Sequence, residues 1–232
     1  MECRSQACAS SSPPNGRSLR AERLEAAEVE EVQENLLDIA RINRWFGGHR
    51  TLLQLLRGLV GPLDRFSIVD VGAASGDMGR CIQNRFPRAT VVSLDRQALH
   101  LKTANTPRIA ADAFALPFRE RSFDLVMSSS FLHHFSNVEV SALLREMRRV
   151  ARTAVIILDI ERHAFASFFL RATRGLFGWS ELTVHDGCLS VDAAFQLPEL
   201  QSIVSVLTPG YLITRRHLPW FRVSAVFTAE QP

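Results

Sequence analysis

The sequence predicts an α/β protein built on a doubly wound, mostly parallel, seven-stranded sheet of the Rossmann-like kind. Short runs rich in β-branched residues alternate with helical stretches from residue 68 onward, and such alternation indicates βαβ units. Two runs near the end, 211–216 and 221–228, are separated only by a short turn, so they are expected to form a hairpin whose last strand is antiparallel.

Each predicted element has its own signal. The predicted strands are 68–71, 90–94, 108–110, 123–127, 154–158, 211–216 and 221–228. After residue 63, one helix is predicted to begin near Gly76, and three more are predicted to span 137–150, 164–177 and 198–207.

The chain divides into three predicted segments. Residues 1–20 are rich in Ser, Pro, Asn, Gly and Arg and predict a disordered tail. Residues 21–62 carry two apolar-striped helical stretches, which end at Gly61-Pro62 and predict a helical lid over the open edge of the sheet. Residues 63–232 are predicted to form a single α/β domain.

Composition excludes several function classes. Apolar residues make up 47% of the chain and the net charge is +3, without the basic stripe of a nucleic-acid enzyme. The four cysteines show neither a C-x-x-C pair nor metal spacing, so we expect reduced thiols, a cytoplasmic protein and no metal. No apolar run approaches the ~20 residues that span a bilayer.

The strongest local signal is the glycine-containing loop that follows the first predicted strand, 70–79. A dinucleotide fingerprint needs G-x-G-x-x-G, but in this register Ala74 and Asp77 occupy the second and third glycine positions. Asp77 also begins the next helix, where its charge would repel a pyrophosphate. S-adenosylmethionine (SAM) has no phosphate and carries a sulfonium cation, so the acidic loop favours SAM.

Acidic residues follow three successive strands of the predicted sheet. Asp70 precedes the loop, Asp95 is placed to accept the ribose hydroxyls, and Asp112 to accept an adenine amino group beside Ala113. A single Asp at a strand end is usually a cap or turn residue, but three at one edge indicate a cofactor site. The predicted cofactor-binding residues are Asp70, Gly72, Ala73, Ala74, Gly76, Asp95, Arg96, Asp112, Ala113 and Ser128.

Residues 65–160 resemble the class I SAM-dependent methyltransferases. The resemblance rests on 70–76, on Asp95, on Asp112-Ala113 with 116–118, and on 122–126. Ala74 replaces the middle glycine of the family pattern. The resemblance implies that 63–232 form a methyltransferase domain with SAM as the cofactor.

A narrower similarity covers 43–48, 131–135, 159–162 and 186–191. These segments resemble the ubiquinone/menaquinone-type methyltransferases and those found beside type III polyketide synthase genes. That similarity implies a small acceptor that is phenolic, quinone-like or derived from a polyketide, and it leaves O- and C-methylation open.

A phenol requires a base poised near neutral pH, which suits histidine. His133 and His134 follow the fourth strand, so either is a candidate base; alternatively, both shape the pocket wall or cap the next helix.

Four further residues are predicted to bind substrate: Arg44, Trp45, Asp159 and Arg162. As an alternative to binding substrate, Asp159 and Arg162 are candidates for a structural ion pair. The aromatic residues of 165–179 suit a core, an apolar acceptor site, or a mouth in peripheral contact with a membrane for a lipid-like substrate. The alternative functions are a nicotinamide-dependent oxidoreductase, which the glycine spacing disfavours, and a non-catalytic methyltransferase-like subunit.

Overall fold

The computed structural model describes residues 17–19, 22, 24, 28–207 and 212–228. In this part of the chain the helices are α1 (Val29–Trp45), α2 (Gly48–Arg57), α3 (Asp77–Arg85), α4 (Asn137–Val150), α5 (Ala164–Ala172), α6 (Arg174–Phe177), α7 (Glu181–Ala193) and α8 (Leu197–Leu207). The strands are β1 (Ser67–Val71), β2 (Thr90–Asp95), β3 (Arg108–Ala110), β4 (Phe123–Ser129), β5 (Ala151–Ile160), β6 (Leu212–His217) and β7 (Arg222–Thr228).

The seven strands form one sheet in the order β3-β2-β1-β4-β5-β7-β6. Strands β1 to β5 are parallel, and β7 is antiparallel to both β5 and β6. The predicted fold class and the terminal hairpin are therefore confirmed. Because β7 is antiparallel, its first residue, Arg222, pairs with Ile160 at the edge where β5 ends.

Two apolar layers cover the sheet. On one face, α2 and α3 bury Leu52, Leu56 and Ile82 against the sheet. On the other face, α4 and α8 bury Leu143 and Val204. Both faces are covered, which explains why the central strands are almost continuously apolar in sequence.

Three helices lie over the carboxyl edge of the parallel strands: α1, α5 and α7. Asp38 of α1 accepts hydrogen bonds from the Ser180 N–H (2.9 Å) and the Thr183 hydroxyl (3.0 Å), and so joins α1 to the beginning of α7. Helix α7 is not predicted from the sequence. Its apolar and polar residues do not segregate to separate faces, since it contacts both α1 and α5.

The N-terminal segments differ from their predicted layout. Most of the predicted tail lies outside the described residues, but Arg17 donates to the carbonyls of Ala193, His133 and Phe135. Of the two predicted lid helices, α1 lines the cavity below it, whereas α2 belongs to the core. The predicted helix 164–177 is broken at Thr173 into α5 and α6. Among the described residues, no helix has both the length and the apolar character that crossing a bilayer requires.

Candidate active site

A cavity of about 840 Å³ lies at the carboxyl edge of the sheet, where β1 and β4 are neighbours and the strand order reverses. Open α/β sheets bind ligands at this switch point, and small-molecule sites measure roughly 300–1,000 Å³. We call the β1–β3 side the acidic half; it is lined by Asp70, Gly72, Ala73, Ala74, Asp77, Asp95, Arg96, Asp112 and Ala113. We call the opposite side the aromatic half; it is lined by Phe46, Phe165, Phe169, Trp220, Phe221 and Arg222.

The loop after β1 presents its backbone to the cavity. The N–H groups of Gly72 and Ala73 both donate to the Leu94 carbonyl at 2.9 Å, which fixes the loop to β2. Gly72 has φ +75°, and a Cβ there would lie 2.4 Å from the Phe131 ring. Ala74 also has a positive φ, 46°, which explains why the family pattern prefers glycine at this position.

Gly76 does not line the cavity, so its prediction as a ligand contact is corrected. It adopts φ +67° directly before α3, and a Cβ there would lie 2.7 Å from the Ala104 Cβ. Glycine is required here by the packing of α3 against the segment after β2, rather than by close approach of a cofactor.

Asp95 lies at the end of β2 with both oxygens engaged by backbone donors. Oδ2 accepts from the Ala74 N–H at 3.0 Å, and Oδ1 accepts from the Gln97 N–H at 2.9 Å. Burial alone would raise the pKa of Asp95, but the neighbouring His100 and these N–H groups lower it. Asp95 is therefore an ionised acceptor that also orients the glycine loop.

The predicted adenine-side residues lie along the same edge. Arg96, Asp112 and Ala113 line the acidic half of the cavity, and Asp112 Oδ1 accepts from the Phe114 N–H at 2.9 Å. The ends of β1, β2 and β3 thus bring the three predicted acids to one cavity.

Asp70 lies at the floor of the cavity and is 1% exposed. Neither carboxyl oxygen has a hydrogen-bond partner within the described part of the protein. Burial, together with the charges of Asp77 and Asp95, raises the pKa of Asp70 to about 8. A buried carboxyl without a partner costs free energy until a donor or a cation reaches it. This position fits a ligand with a cationic group, such as the amino acid end of SAM.

Asp77 belongs to a hydrogen-bond network that links the loop to α1 and α2. Its Oδ2 accepts from Asn43 Nδ2 at 3.2 Å and lies 2.9 Å from His49 Nε2. Burial alone would lower the pKa of His49, but its hydrogen bonds to Asp77 and Cys81 raise it to about 9. The predicted acid at the start of α3 is therefore paired with an imidazolium.

His133 and Asp159 form a buried pair beneath the cavity. Nδ1 of His133 lies 2.7 Å from Asp159 Oδ1, and Nε2 of His133 has no hydrogen-bond partner among the described residues. Burial alone would lower the pKa of His133, but the charge and hydrogen bond of Asp159 raise it above its ordinary value. Because His133 lines the cavity, its free Nε2 is placed to accept a proton from a ligand.

His134 has a different environment. Its side chain is 36% exposed, and Nδ1 lies 3.7 Å from a Glu22 oxygen. Loss of hydration around the ring, together with the charge of the neighbouring His133, lowers the pKa of His134. Glu22, His133 and His134 bring three ligand-type atoms within 4.8 Å of one another. The two imidazole rings lie 4.2 Å apart with their planes inclined by 37°.

All four predicted substrate contacts and, besides Gly76, one further predicted cofactor contact lie outside the cavity lining. Arg44 and Trp45 are exposed because the cavity-facing side of α1 carries Asn43 and Phe46 instead. Trp45 packs against Phe177 and Trp179. Ser128 is buried within the sheet, whereas the next two serines line the cavity.

Asp159 and Arg162 do not pair with each other. Asp159 supports His133 from below, and Arg162 donates to Glu199 at 2.7 Å and to the Ala194 carbonyl at 2.7 Å. Arg162 therefore forms a structural ion pair, but its partner is Glu199 and not Asp159, the partner that the sequence suggests.

Arg222 is a cavity residue that sequence reasoning missed. The signal was present, because a terminal antiparallel strand begins at the edge where the parallel strands end. The aromatic segment divides as follows: Phe165 and Phe169 line the cavity, while Phe168 and Leu176 are largely exposed.

Comparison with known proteins identifies the central part of the chain. Residues 69–158 match the family described as a methyltransferase domain. The chain is 32% identical over 96 residues to a malonyl-[acyl-carrier protein] O-methyltransferase of Coxiella burnetii, covering 41% of this chain and 33% of that protein. It is 29% identical over 100 residues to a demethylmenaquinone methyltransferase of Thermotoga maritima, covering 40% of this chain and 43% of that protein.

The chain therefore spans less than half the length of these two curated relatives. A solved structure of magnesium protoporphyrin IX methyltransferase from Synechocystis, with bound SAH, superposes with a TM-score of 0.53 at 16% identity. That superposition covers 78% of this chain and 83% of that chain. Residues 69–158 thus match the methyltransferase-domain family, and the chain shares the fold of class I methyltransferases.

Proposed function

We propose that this protein transfers a methyl group from SAM to a small-molecule acceptor that is phenolic, quinone-like or derived from a polyketide. The observation that carries the proposal is His133, a cavity-lining residue whose Nδ1 is held by Asp159 and whose Nε2 has no hydrogen-bond partner among the described residues. The acidic half of the same cavity supplies a site for a cationic nucleoside cofactor.

The acidic half holds the cofactor. Asp95 accepts the ribose hydroxyls, Asp112 and Ala113 lie at the adenine side, and Asp70 meets the cationic amino acid end. Asp77 with His49 occupies the start of α3, where a dinucleotide would need room for its phosphates. The loop spacing, with Ala74 and Asp77 at the second and third glycine positions of a dinucleotide fingerprint, supports SAM over the nicotinamide alternative. When bound, SAM supplies a methyl group already activated by its sulfonium.

The chain's own chemistry is orientation and proton transfer. His133 Nε2 accepts the acceptor's hydroxyl proton as the oxygen, or the ring carbon it activates, attacks the methyl group. Asp159 stabilises the imidazolium that forms and keeps Nδ1 as the protonated nitrogen. Helices α1 and α5 cover the cavity and exclude water from it.

The aromatic half supports an apolar, planar acceptor. Its rings come from α1, α5 and the β6–β7 turn, and together they form a wall opposite the acidic half. Similarity to a demethylmenaquinone methyltransferase supports a quinone-like acceptor. The exposed Phe168 and Leu176 beside this wall support peripheral membrane contact when the substrate is lipid-like.

Two measurements test the proposed function. Titration calorimetry with SAM and with NADH should show binding of SAM only. Incubation with SAM and a panel of polyhydroxylated aromatic compounds should release S-adenosylhomocysteine (SAH), detected by mass spectrometry. Binding of NADH alone would favour an oxidoreductase, and binding of SAM without SAH release across the panel would favour a non-catalytic subunit.

A further inference from the structure

Arg222 is a buried cation that lines the cavity, and its hydrogen-bond partners in the described part of the chain are neutral. It is 4% exposed. Its guanidinium donates to the Phe46 carbonyl at 3.4 Å, to Ser130 Oγ at 3.2 Å and to Asn43 Oδ1 at 2.9 Å. All three acceptors are uncharged oxygens, and within the described residues no ion pair joins this guanidinium to a carboxylate.

A structural role does not account for this arrangement. A buried charge is stabilised by an opposite charge, as Arg162 is by Glu199 at 2.7 Å. Burial lowers the pKa of Arg222 to about 10, although the more distant charges of Asp159 and Asp77 act in the opposite direction. A guanidinium carries five N–H donors, so three hydrogen bonds leave two donors for a ligand.

Arg222 belongs to the β7 side of the cavity and is linked to the acidic half through Asn43, whose Oδ1 accepts from Arg222 and whose Nδ2 donates to Asp77. Acids at the ends of β3, β2 and β1 mark the adenine, ribose and methionine positions in that order along the sheet. Arg222 begins β7, three strands beyond β1, or about 14 Å at the usual strand spacing of ~4.8 Å. It lies opposite Ile160, next to Asp159, which supports His133.

We propose that Arg222 binds a carboxylate of the methyl acceptor and selects aromatic hydroxy acids over neutral phenols. This inference rests on the proposed function, because it assigns the aromatic half to the acceptor. The two remaining N–H donors match the two oxygens of a carboxylate, and a guanidinium pairs with such a group in bidentate fashion. The aromatic wall then holds the ring while His133 meets the hydroxyl.

The first test needs only the wild-type protein. Binding of 1-hydroxy-2-naphthoate and of 1-naphthol, which differ by the carboxylate, is measured by calorimetry with and without SAH. The carboxylate is expected to tighten binding by about tenfold or more, the effect of hydrogen bonds to charged groups. Equal affinity for the two probes overturns the proposal.

Variants then assign the effect to the residue. Arg222→Met should remove the preference for the naphthoate, and Arg222→Lys should retain part of it because the charge remains. Retention of the full preference in a folded Arg222→Met protein overturns the proposal. If Arg222→Met does not fold, the wild-type comparison and Arg222→Lys still decide the outcome.

A third comparison separates the acceptor from the cofactor. SAH carries the methionine carboxylate and 5′-methylthioadenosine lacks it. Arg222→Met should leave the affinity for both nucleosides unchanged; weakened binding of SAH alone would mean that Arg222 holds the cofactor carboxylate and would overturn the proposal. If the proposed function itself is wrong, the wild-type protein will not bind SAH, which distinguishes that outcome from failure of the Arg222 proposal.

Discussion

Asp159 Oδ1 lies 2.7 Å from Nδ1 of His133, and both side chains are almost completely buried. The carboxylate accepts the Nδ1 proton, and Nε2 has no hydrogen-bond partner among the described residues. The two residues are 26 positions apart and come from the end of β5 and the turn after β4. Adjacent parallel strands bring them together at the edge that carries the cofactor loop.

Asp159→Asn should change the pH dependence of methyl transfer. The substitution removes the charge that holds the pKa of His133 above its ordinary value, while the charged Glu22 and Arg17 and the neutral ring of His134 stay in place. A base must be unprotonated, so the acidic limb of the pH–kcat profile should move to lower pH. The plateau should fall roughly tenfold because the base is weaker. A limb at the wild-type position would show that Asp159 does not tune the base.

Asp70 predicts pH-dependent cofactor affinity. Its pKa is raised to about 8, so it is mostly protonated at neutral pH, and a bound cation requires the ionised form. Binding should therefore release a proton, and SAM affinity should rise between pH 6 and 7.5 by up to about tenfold per pH unit. Asp70→Asn should bind SAM more weakly, with affinity constant across this range. If SAM affinity rose equally with pH in both proteins, the proton released on binding would come from a group other than Asp70.

Asp95→Ala should weaken SAM binding by about 1.5–3 kcal/mol, the range for hydrogen bonds to a charged group. The loss combines the ribose contact with the support that Asp95 gives to the Ala74 N–H. Calorimetric titration with SAM measures it. Asp64→Ala, which removes an exposed carboxylate far from the cavity lining, is the matched control and should bind SAM normally. Equal affinity in both variants would mean that Asp95 is not the anchor.

Gly76→Ala should destabilise the fold more than Gly178→Ala. Both glycines adopt nearly the same left-handed φ, +67° and +68°, so the backbone strain of an alanine is matched at about 1–2 kcal/mol. A Cβ at Gly76 meets Ala104 at 2.7 Å, whereas nothing lies within 4 Å of one at Gly178. Urea unfolding of the two variants isolates this contact. Equal free energies of unfolding would contradict the packing role assigned to Gly76.

The sheet could be predicted because its strands are short, β-branched and separated by helices. The prediction of the strands also located the residues at their ends, and Asp70, Asp95 and Asp112 all line one cavity. Their positions depend only on strand order and direction, which the alternation of elements determines.

The sequence patterns do not determine which side chains point into the cavity. The motif 43–48 predicts Arg44 and Trp45 as contacts, but the orientation of α1 places Asn43 and Phe46 at the cavity instead. The partnership of His133 with Asp159 depends on strand register, which no local pattern specifies.

The rate of methyl transfer by His133→Gln, measured beside His134→Gln and wild type across pH, tests the proposed mechanism most directly. Loss of the base should lower kcat roughly 10²–10⁴-fold at neutral pH while SAM affinity stays unchanged, because the loss is in the chemical step. His134→Gln should retain most activity, since the pKa of His134 is lowered and its Nδ1 lies 3.7 Å from the Glu22 oxygen, farther than His133 Nδ1 lies from Asp159. Activity of His133→Gln should partly return as pH approaches the pKa of the acceptor. Full turnover by His133→Gln near neutral pH would contradict the assignment of His133 as the base.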